Sequence, residues 1–169
     1  MLENIFFSIL AVIFLLILSG LFSGSETSIT SVAKSKIHKL SRRGDKRAKT
    51  LMNIINKKND LISSLLIGNN FVNILASALA TAILIKFYGD KGVIYSTIIM
   101  SLLIVIFSEV LPKSYALLRP EKFALCMAMY LSFFLKIVFP VMLFVKFVNW
   151  FFFKICCSLL IKIFLYFLK

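Results

Sequence analysis

Between Val93 and Leu111 the chain runs nineteen residues with a single charged side chain, Glu109. About 20 mainly apolar residues are enough for a helix to cross a bilayer. Two other runs have the same character, Ile5 to Phe22 and Leu61 to Ile85. Three such runs in 169 residues leave too little chain to cover them in water. Composition agrees: hydrophobic residues make up 60% and phenylalanine alone appears 18 times, against about 45–50% apolar in soluble domains. In lipid each backbone polar group must find its partner within the segment, so these runs are expected to be helices. The fold class is therefore an all-α membrane protein with three transmembrane helices, at about residues 5–22, 61–85 and 93–111.

Charge sets the topology. The formal net charge is +13, yet no Lys or Arg precedes Lys34. From Lys34 to Lys49 eight basic side chains then face one acid, Asp45. The block follows a hydrophobic run and lacks interleaved aromatics for base stacking, so it reads as a cytoplasmic loop beside anionic headgroups and not as a nucleic-acid site. Between Ser31 and Asp60, Val32, Ile37, Leu40, Leu51, Ile54 and Ile55 recur among the charges, and Gly44-Asp45 marks a break. An amphipathic helical hairpin on the inner membrane surface is expected. Lys86–Gly92 is a short turn, and the loop after Pro112 carries Lys113, Arg119 and Lys122. The positive-inside rule places the N-terminus outside, in an integral protein of the inner or plasma membrane. Ile5 to Leu18 lacks the leading positive region and the small-residue cleavage pattern of a signal peptide, so it is expected to be retained.

The C-terminal part is distinct. Phe123 to Phe139 is apolar with Lys136 inside it, and Pro140 is expected to interrupt it. Lys146, Lys154, Lys162 and Lys169 then recur every seven or eight residues. That spacing puts them on one helix face, which predicts an interfacial helix over 141–169 appended to a membrane domain over 1–140. Lysines snorkelling from a tilted span are the alternative.

Several function classes fall away. Cys126, Cys156 and Cys157 are odd in number and lie in apolar surroundings, and His38 is the sole histidine. Neither a disulfide framework nor a soft-metal site is expected. No histidine-based catalytic set, glycine-rich phosphate loop or paired carboxylates argue for an enzyme.

Three polar patches interrupt the apolar runs. In Ser19-Gly20-Leu21-Phe22-Ser23-Gly24-Ser25-Glu26-Thr27 two glycines and three serines make the helix easy to unwind, exposing carbonyls beside the hydroxyls of Ser23 and Ser25. A helix stop with Ser25 as the next N-cap, or glycine-mediated packing through Gly20 and Gly24, explains the same residues. In the second run Asn69, Asn73 and Ser77 share one helix face with Asn70 at its edge. These side chains supply either neutral oxygen ligands or interhelical hydrogen bonds. The third patch is Ser108-Glu109-Val110-Leu111-Pro112-Lys113. An acid at membrane depth costs about 2.5 kcal/mol or more, so it needs a partner or a function. Pro112 cannot donate to the carbonyl four residues back, which is Ser108, and its ring pushes that carbonyl aside. Glu109 either pairs with Lys113 or joins the asparagine and serine oxygens. Such a set suits a hard cation, and its single negative charge suits transient binding.

In this order and spacing, Ser23–Thr27, the Leu-Ile-Gly-Asn-Asn-Phe-Val-Asn run at Leu66–Asn73 and the Glu-Val-Leu-Pro-Lys run at Glu109–Lys113 resemble the transmembrane (DUF21) domain of the CorC/CNNM magnesium transporter family. The resemblance covers about Leu18 to Pro140. It implies three transmembrane helices with juxtamembrane helices, an outside N-terminus and a homodimer. It also implies Mg²⁺ as transported ion, export driven by Na⁺ entry, and Co²⁺ as an alternative cargo. Carried over residue by residue, Ser23, Asn69, Asn73 and Glu109 are the metal ligands, with Ser25, Asn70 and Ser77 as secondary candidates. Family members often continue into cytosolic CBS modules and a CorC-type domain, and some carry the label haemolysin. Within the 169 residues, which run to Lys169, no such module is expected. The expectations are a transporter domain, alone or with a separate CBS-containing partner. The alternatives are a non-transporting scaffold, a regulatory subunit or a truncated remnant.

Overall fold

The computed structural model describes the backbone of residues 2–167 and the side chains of residues 5–148. The described residues form α1 (Leu2–Ser31), α2 (Lys34–Arg42), α3 (Lys46–Ile55), α4 (Lys58–Tyr88), α5 (Lys91–Leu103), a π-helical segment (Ile104–Val110), α6 (Leu111–Leu118) and α7 (Pro120–Phe167). Among the described residues four stretches are long and apolar enough to cross a membrane: Ile5–Ser31, Lys58–Tyr88, Lys91–Leu118 and Pro120–Val148. The third joins α5, the π segment and α6 into one path. The first three overlap the runs expected from sequence, and the fourth is additional.

The helices form where sequence punctuation allows. Gly44 takes a positive φ of 91° between α2 and α3, a conformation open to a residue without Cβ. Asp45 then caps α3, its carboxylate accepting from the backbone N–H of Arg47 at 2.8 Å. Gly89, with φ 59°, closes the tight connection from α4 to α5. Gly92 serves a different purpose: a Cβ there would stand 2.5 Å from the Leu84 carbonyl, so the two helices approach backbone to backbone.

Two expectations about breaks are corrected. α1 neither unwinds nor stops at the Ser-Gly-Ser patch but continues to Ser31. Its hydroxyls explain why. Ser25 donates to Leu21 O, Thr27 to Ser23 O, Ser28 to Ser25 O and Thr30 to Glu26 O. Back-bonding of this kind lets serine and threonine sit inside a helix. Likewise α7 passes through Pro140 without a break in the helix. The expected lysine face of the tail lies, beyond Val148, outside the described side chains.

α1 is the centre of the bundle, packed against α4, the π segment, α6 and α7. The α2–α3 hairpin buries Ile37, Ala48, Leu51, Ile54 and Ile55, together with Ile29, Leu61, Ala124, Ala128 and Leu131. The apolar side of the hairpin is therefore covered largely by α7 and not left to lipid.

α7 slants across α1 and then runs antiparallel to the first turns of α4. Phe123 stands against Gly24, and Phe134 against Phe22 with ring centroids 4.5 Å apart. At 1.5 Å rise per residue, about 16 Å of α7 thus meets about 3 Å of α1. Phe134 also touches Gly68, Met142 lies against Ser64, and Lys146 pairs with Asp60. All of these partners are at the hairpin end of α1 and α4. The Lys36–Glu121 pair, at 2.8 Å, ties the start of α7 to α2. Both ion pairs are partly exposed and screened by solvent; apolar packing holds α7 in place.

Candidate cation site

Where α1 faces α4, the Ser19 hydroxyl lies 2.6 Å from Asn69 Oδ1 and 2.7 Å from Asn73 Oδ1. Ser19 is fully buried. A hydroxyl carries one proton, so it donates to one of these carbonyls at a time. Three oxygens therefore converge around a single hydrogen inside the bundle. The four-residue spacing of Asn69 and Asn73 makes this geometry, since it aims both amides from the same face of α4.

Ser23 stands one turn further along α1 on the same side. Its Oγ is buried and has no hydrogen-bond partner. Every other hydroxyl from Ser25 to Thr30 on this helix bonds a backbone carbonyl of its own helix. Ser19 and Ser23 are thus the two hydroxyls in this stretch that α1 does not consume. A buried polar atom without a partner calls for an explanation such as a bound water or ion.

The third wall is the π segment. Ser108 Oγ donates to Leu16 O of α1 at 3.1 Å, which anchors the segment four residues from Gly20. A Cβ on Gly20 would stand 3.2 Å from Phe107 O and 3.2 Å from Pro112 Cγ. Glycine therefore allows α1 to press against the segment at its carbonyl edge. The π register also corrects the expectation about the proline. Leu111 N–H bonds Ile106 O, five residues back. Continued by one residue, that register makes Phe107, and not Ser108, the carbonyl that Pro112 leaves without its donor. Phe107 O is the oxygen turned toward Gly20.

Glu109 lies within the π segment, half-buried, and has neither an ion pair nor a hydrogen bond with any described residue. The Glu109–Lys113 pair is not formed. Among the described residues no three His, Cys, Asp or Glu side chains gather in one place. The oxygens gathered here are thus neutral hydroxyls, amides and carbonyls, with Glu109 the carboxylate on the neighbouring π segment.

The secondary candidates are placed differently. Ser25 Oγ is taken by Leu21 O. Asn70 is exposed and makes no hydrogen bond with the cluster. Ser77 lies one turn beyond Asn73, and its backbone carbonyl accepts from Thr81. Ser19 belongs to the first polar patch but is not among the ligands expected from the sequence. The signal that would have found it is its four-residue spacing from Ser23, which matches that of Asn69 and Asn73.

Residues 10–158 match the family model CNNM, the cyclin M transmembrane N-terminal domain. The chain belongs to this family. It is 43% identical over 107 residues to the UPF0053 inner membrane protein YfjD of Escherichia coli K12, covering 63% of this chain and 25% of that protein. It is 42% identical over 125 residues to a UPF0053 protein of Haemophilus influenzae, covering 74% of this chain and 30% of that one. A more distant relative, 24% identical over 157 residues, is the polyamine export protein of Haemophilus influenzae, covering 85% of this chain and 36% of that protein. The chain thus spans about a quarter to a third of the length of these relatives. CNNM membership and the long apolar helices make it an integral membrane protein.

Proposed function

We propose that this CNNM domain is the membrane part of a divalent-cation transporter whose substrate is Mg²⁺, with Co²⁺ as a second cargo. The observation that carries the reading is the Ser19–Asn69–Asn73 cluster, three oxygens around one proton, with Ser19 fully buried and both asparagines partly so. Mg²⁺ takes octahedral oxygen ligands at about 2.0–2.1 Å, which puts neighbouring ligand oxygens about 2.9 Å apart. The observed separations of 2.6 and 2.7 Å are close to that spacing. Ser23, unpartnered and buried, and Glu109, unpaired on the opposing segment, supply the remaining hard donors. One carboxylate against a divalent ion leaves the site under-neutralised, which favours release as well as capture.

The direction we propose is export, with Na⁺ entry as the driving force. The topology is an outside N-terminus and three crossings, with α7 lying across the cytoplasmic end. The placement of Glu121 and Lys146 at the hairpin end supports that position for α7. The assembly is a homodimer in the inner or plasma membrane, open to regulation by a separate CBS-containing chain. No enzymatic activity is part of this reading.

A second reading rests on the same atoms. If one of the two asparagine amides is turned, Ser19 donates to one asparagine and accepts from the other, and the cluster becomes helix glue in a non-transporting scaffold. Mg²⁺ efflux from liposomes holding the purified chain, with and without an opposing Na⁺ gradient, separates the two. Na⁺-dependent efflux lost in Glu109→Gln supports transport. A folded protein without ion flux, whose helix association changes on Asn73→Leu, supports the scaffold. A parallel arm loaded with spermidine tests whether a polyamine is carried instead.

A further inference from the structure

At the hairpin end, between the first turn of α4 and the 135–142 segment of α7, lies a cavity of about 320 Å³, at the lower end of the range usual for ligand sites, about 300–1,000 Å³. Its walls are of two kinds. Lys57, Asp60 and Lys136 form one side, and Leu135, Phe139 and Met142 the other. Both oxygens of Asp60 face Lys146 Nζ at 2.9 Å, so the wall's carboxylate is already paired. Lys57 and Lys136 have no ion pair or side-chain hydrogen bond with any described residue. The cavity therefore keeps two ammonium groups beside an apolar surface. Lys57 is the N-cap of α4 and gives it no side-chain acceptor, so the first-turn N–H groups add positive potential on the same side. Phe139 is 59% exposed and opens the apolar wall outward.

We propose that this cavity is a site for a single anionic phospholipid. The phosphate rests between Lys57 and Lys136, and the acyl chains lie on Leu135, Phe139 and Met142. A water-soluble anion would use the lysines and leave the apolar wall bare; a neutral lipid would use the wall and leave the charges unmet. The two halves together match a lipid phosphate with its tails. By seating on α4 and α7 at once, the lipid fastens the crossing helix to the bundle. This inference does not depend on the ion site.

Native mass spectrometry of the full chain in detergent, titrated with phosphatidylglycerol or phosphatidylcholine, tests it. A lysine beside an anionic lipid is worth about fivefold in affinity, so the first phosphatidylglycerol is expected to bind about 25-fold tighter than phosphatidylcholine. Lys57→Gln with Lys136→Gln removes that preference, and Lys57→Arg with Lys136→Arg keeps it. Lys34→Gln with Lys39→Gln, the same charge change on the hairpin, also keeps it. Phe139→Ser weakens both lipids together. Circular dichroism monitors folding, and the single exposed change Lys136→Gln, expected to lose about fivefold, serves if the double variant fails to fold. An unchanged preference in the Lys57/Lys136 variants, or an equal loss in the hairpin variant, overturns the site. Displacement of the lipid by soluble glycerol phosphate at the same concentration also overturns it, in favour of a free anion.

Discussion

Two of the polar contacts that α4 makes within the bundle, one with α5 and one with α1, obey different rules. Toward α5, Thr81 and Ser96 meet at 2.9 Å. Carbonyl acceptors stand beside both: Ser77 O lies 2.8 Å from Thr81 Oγ1, and Val93 O lies 2.8 Å from Ser96 Oγ. With two protons and enough lone pairs, that contact can close on itself as ordinary interhelical bonding. Toward α1, Ser19 offers one proton to two asparagine oxygens, while Ser23 one turn away has no partner. As oriented, the second contact sets two carbonyl acceptors against one hydroxyl proton. A polar residue in a membrane helix therefore signals a site not by its presence but by whether its neighbours satisfy it.

Mutations that separate the two contacts give the sharpest tests. The largest effect is expected from Glu109→Gln, which removes the one carboxylate of the proposed ion site. Mg²⁺ flux into or out of liposomes should fall about 100-fold or more, beyond the 10–100-fold usual for residues that merely support a metal ligand, with an unchanged helical circular-dichroism spectrum. Flux at the native level would remove Glu109 from the site. Next, Asn69→Leu with Asn73→Leu should abolish the rise in unfolding temperature that Mg²⁺ produces, because ligand binding to the folded state supplies that rise. Without the ion it should lower stability by only about 0.6 kcal/mol per lost contact. A large loss in the absence of Mg²⁺ would reassign the pair to helix packing.

Gly20→Ala should act between these extremes. Its methyl must displace Phe107 O or Pro112, an overpacking of about 1–3 kcal/mol, and it should reduce flux by prying the π segment from α1. Thermal unfolding and flux measured on the same preparation check both. The smallest effect belongs to Thr81→Val or Ser96→Ala, about 0.6 kcal/mol in stability with flux retained. A transport defect there would break the distinction between the two contacts.

Much of this architecture was legible without coordinates. Ile5–Phe22, Leu61–Ile85 and Val93–Leu111 announced their helices by length and apolarity, and Gly44-Asp45 announced the hairpin turn through glycine's freedom and aspartate's capping. The four-residue spacing of Asn69 and Asn73 placed both on one face. The state of each serine was not legible. Ser25 and Ser23 sit two residues apart in the same patch, yet one bonds its own helix and the other is left unpartnered. That outcome depends on rotamer and on the rotation of α1 against α4, set by contacts more than forty residues apart in the chain. The π register was equally hidden: Pro112 signalled a freed carbonyl, but a fourth- or fifth-residue count decides whether it is Ser108 or Phe107.

The sequence by itself determined that the chain is an all-helical membrane protein, because transfer of apolar and charged side chains depends on composition and length more than on neighbours. It also determined that the oxygen-rich patches lie within its apolar runs. Only the tertiary structure decided which oxygens meet, because convergence of Ser19 on Asn69 and Asn73 requires two helices in one rotational setting. It alone set how α7 packs: apolarity makes that helix long enough to span, and the small buried faces of Ala124 and Ala128 and the contacts of Phe134 with Gly68 and Phe22 seat it against the hairpin, α1 and α4.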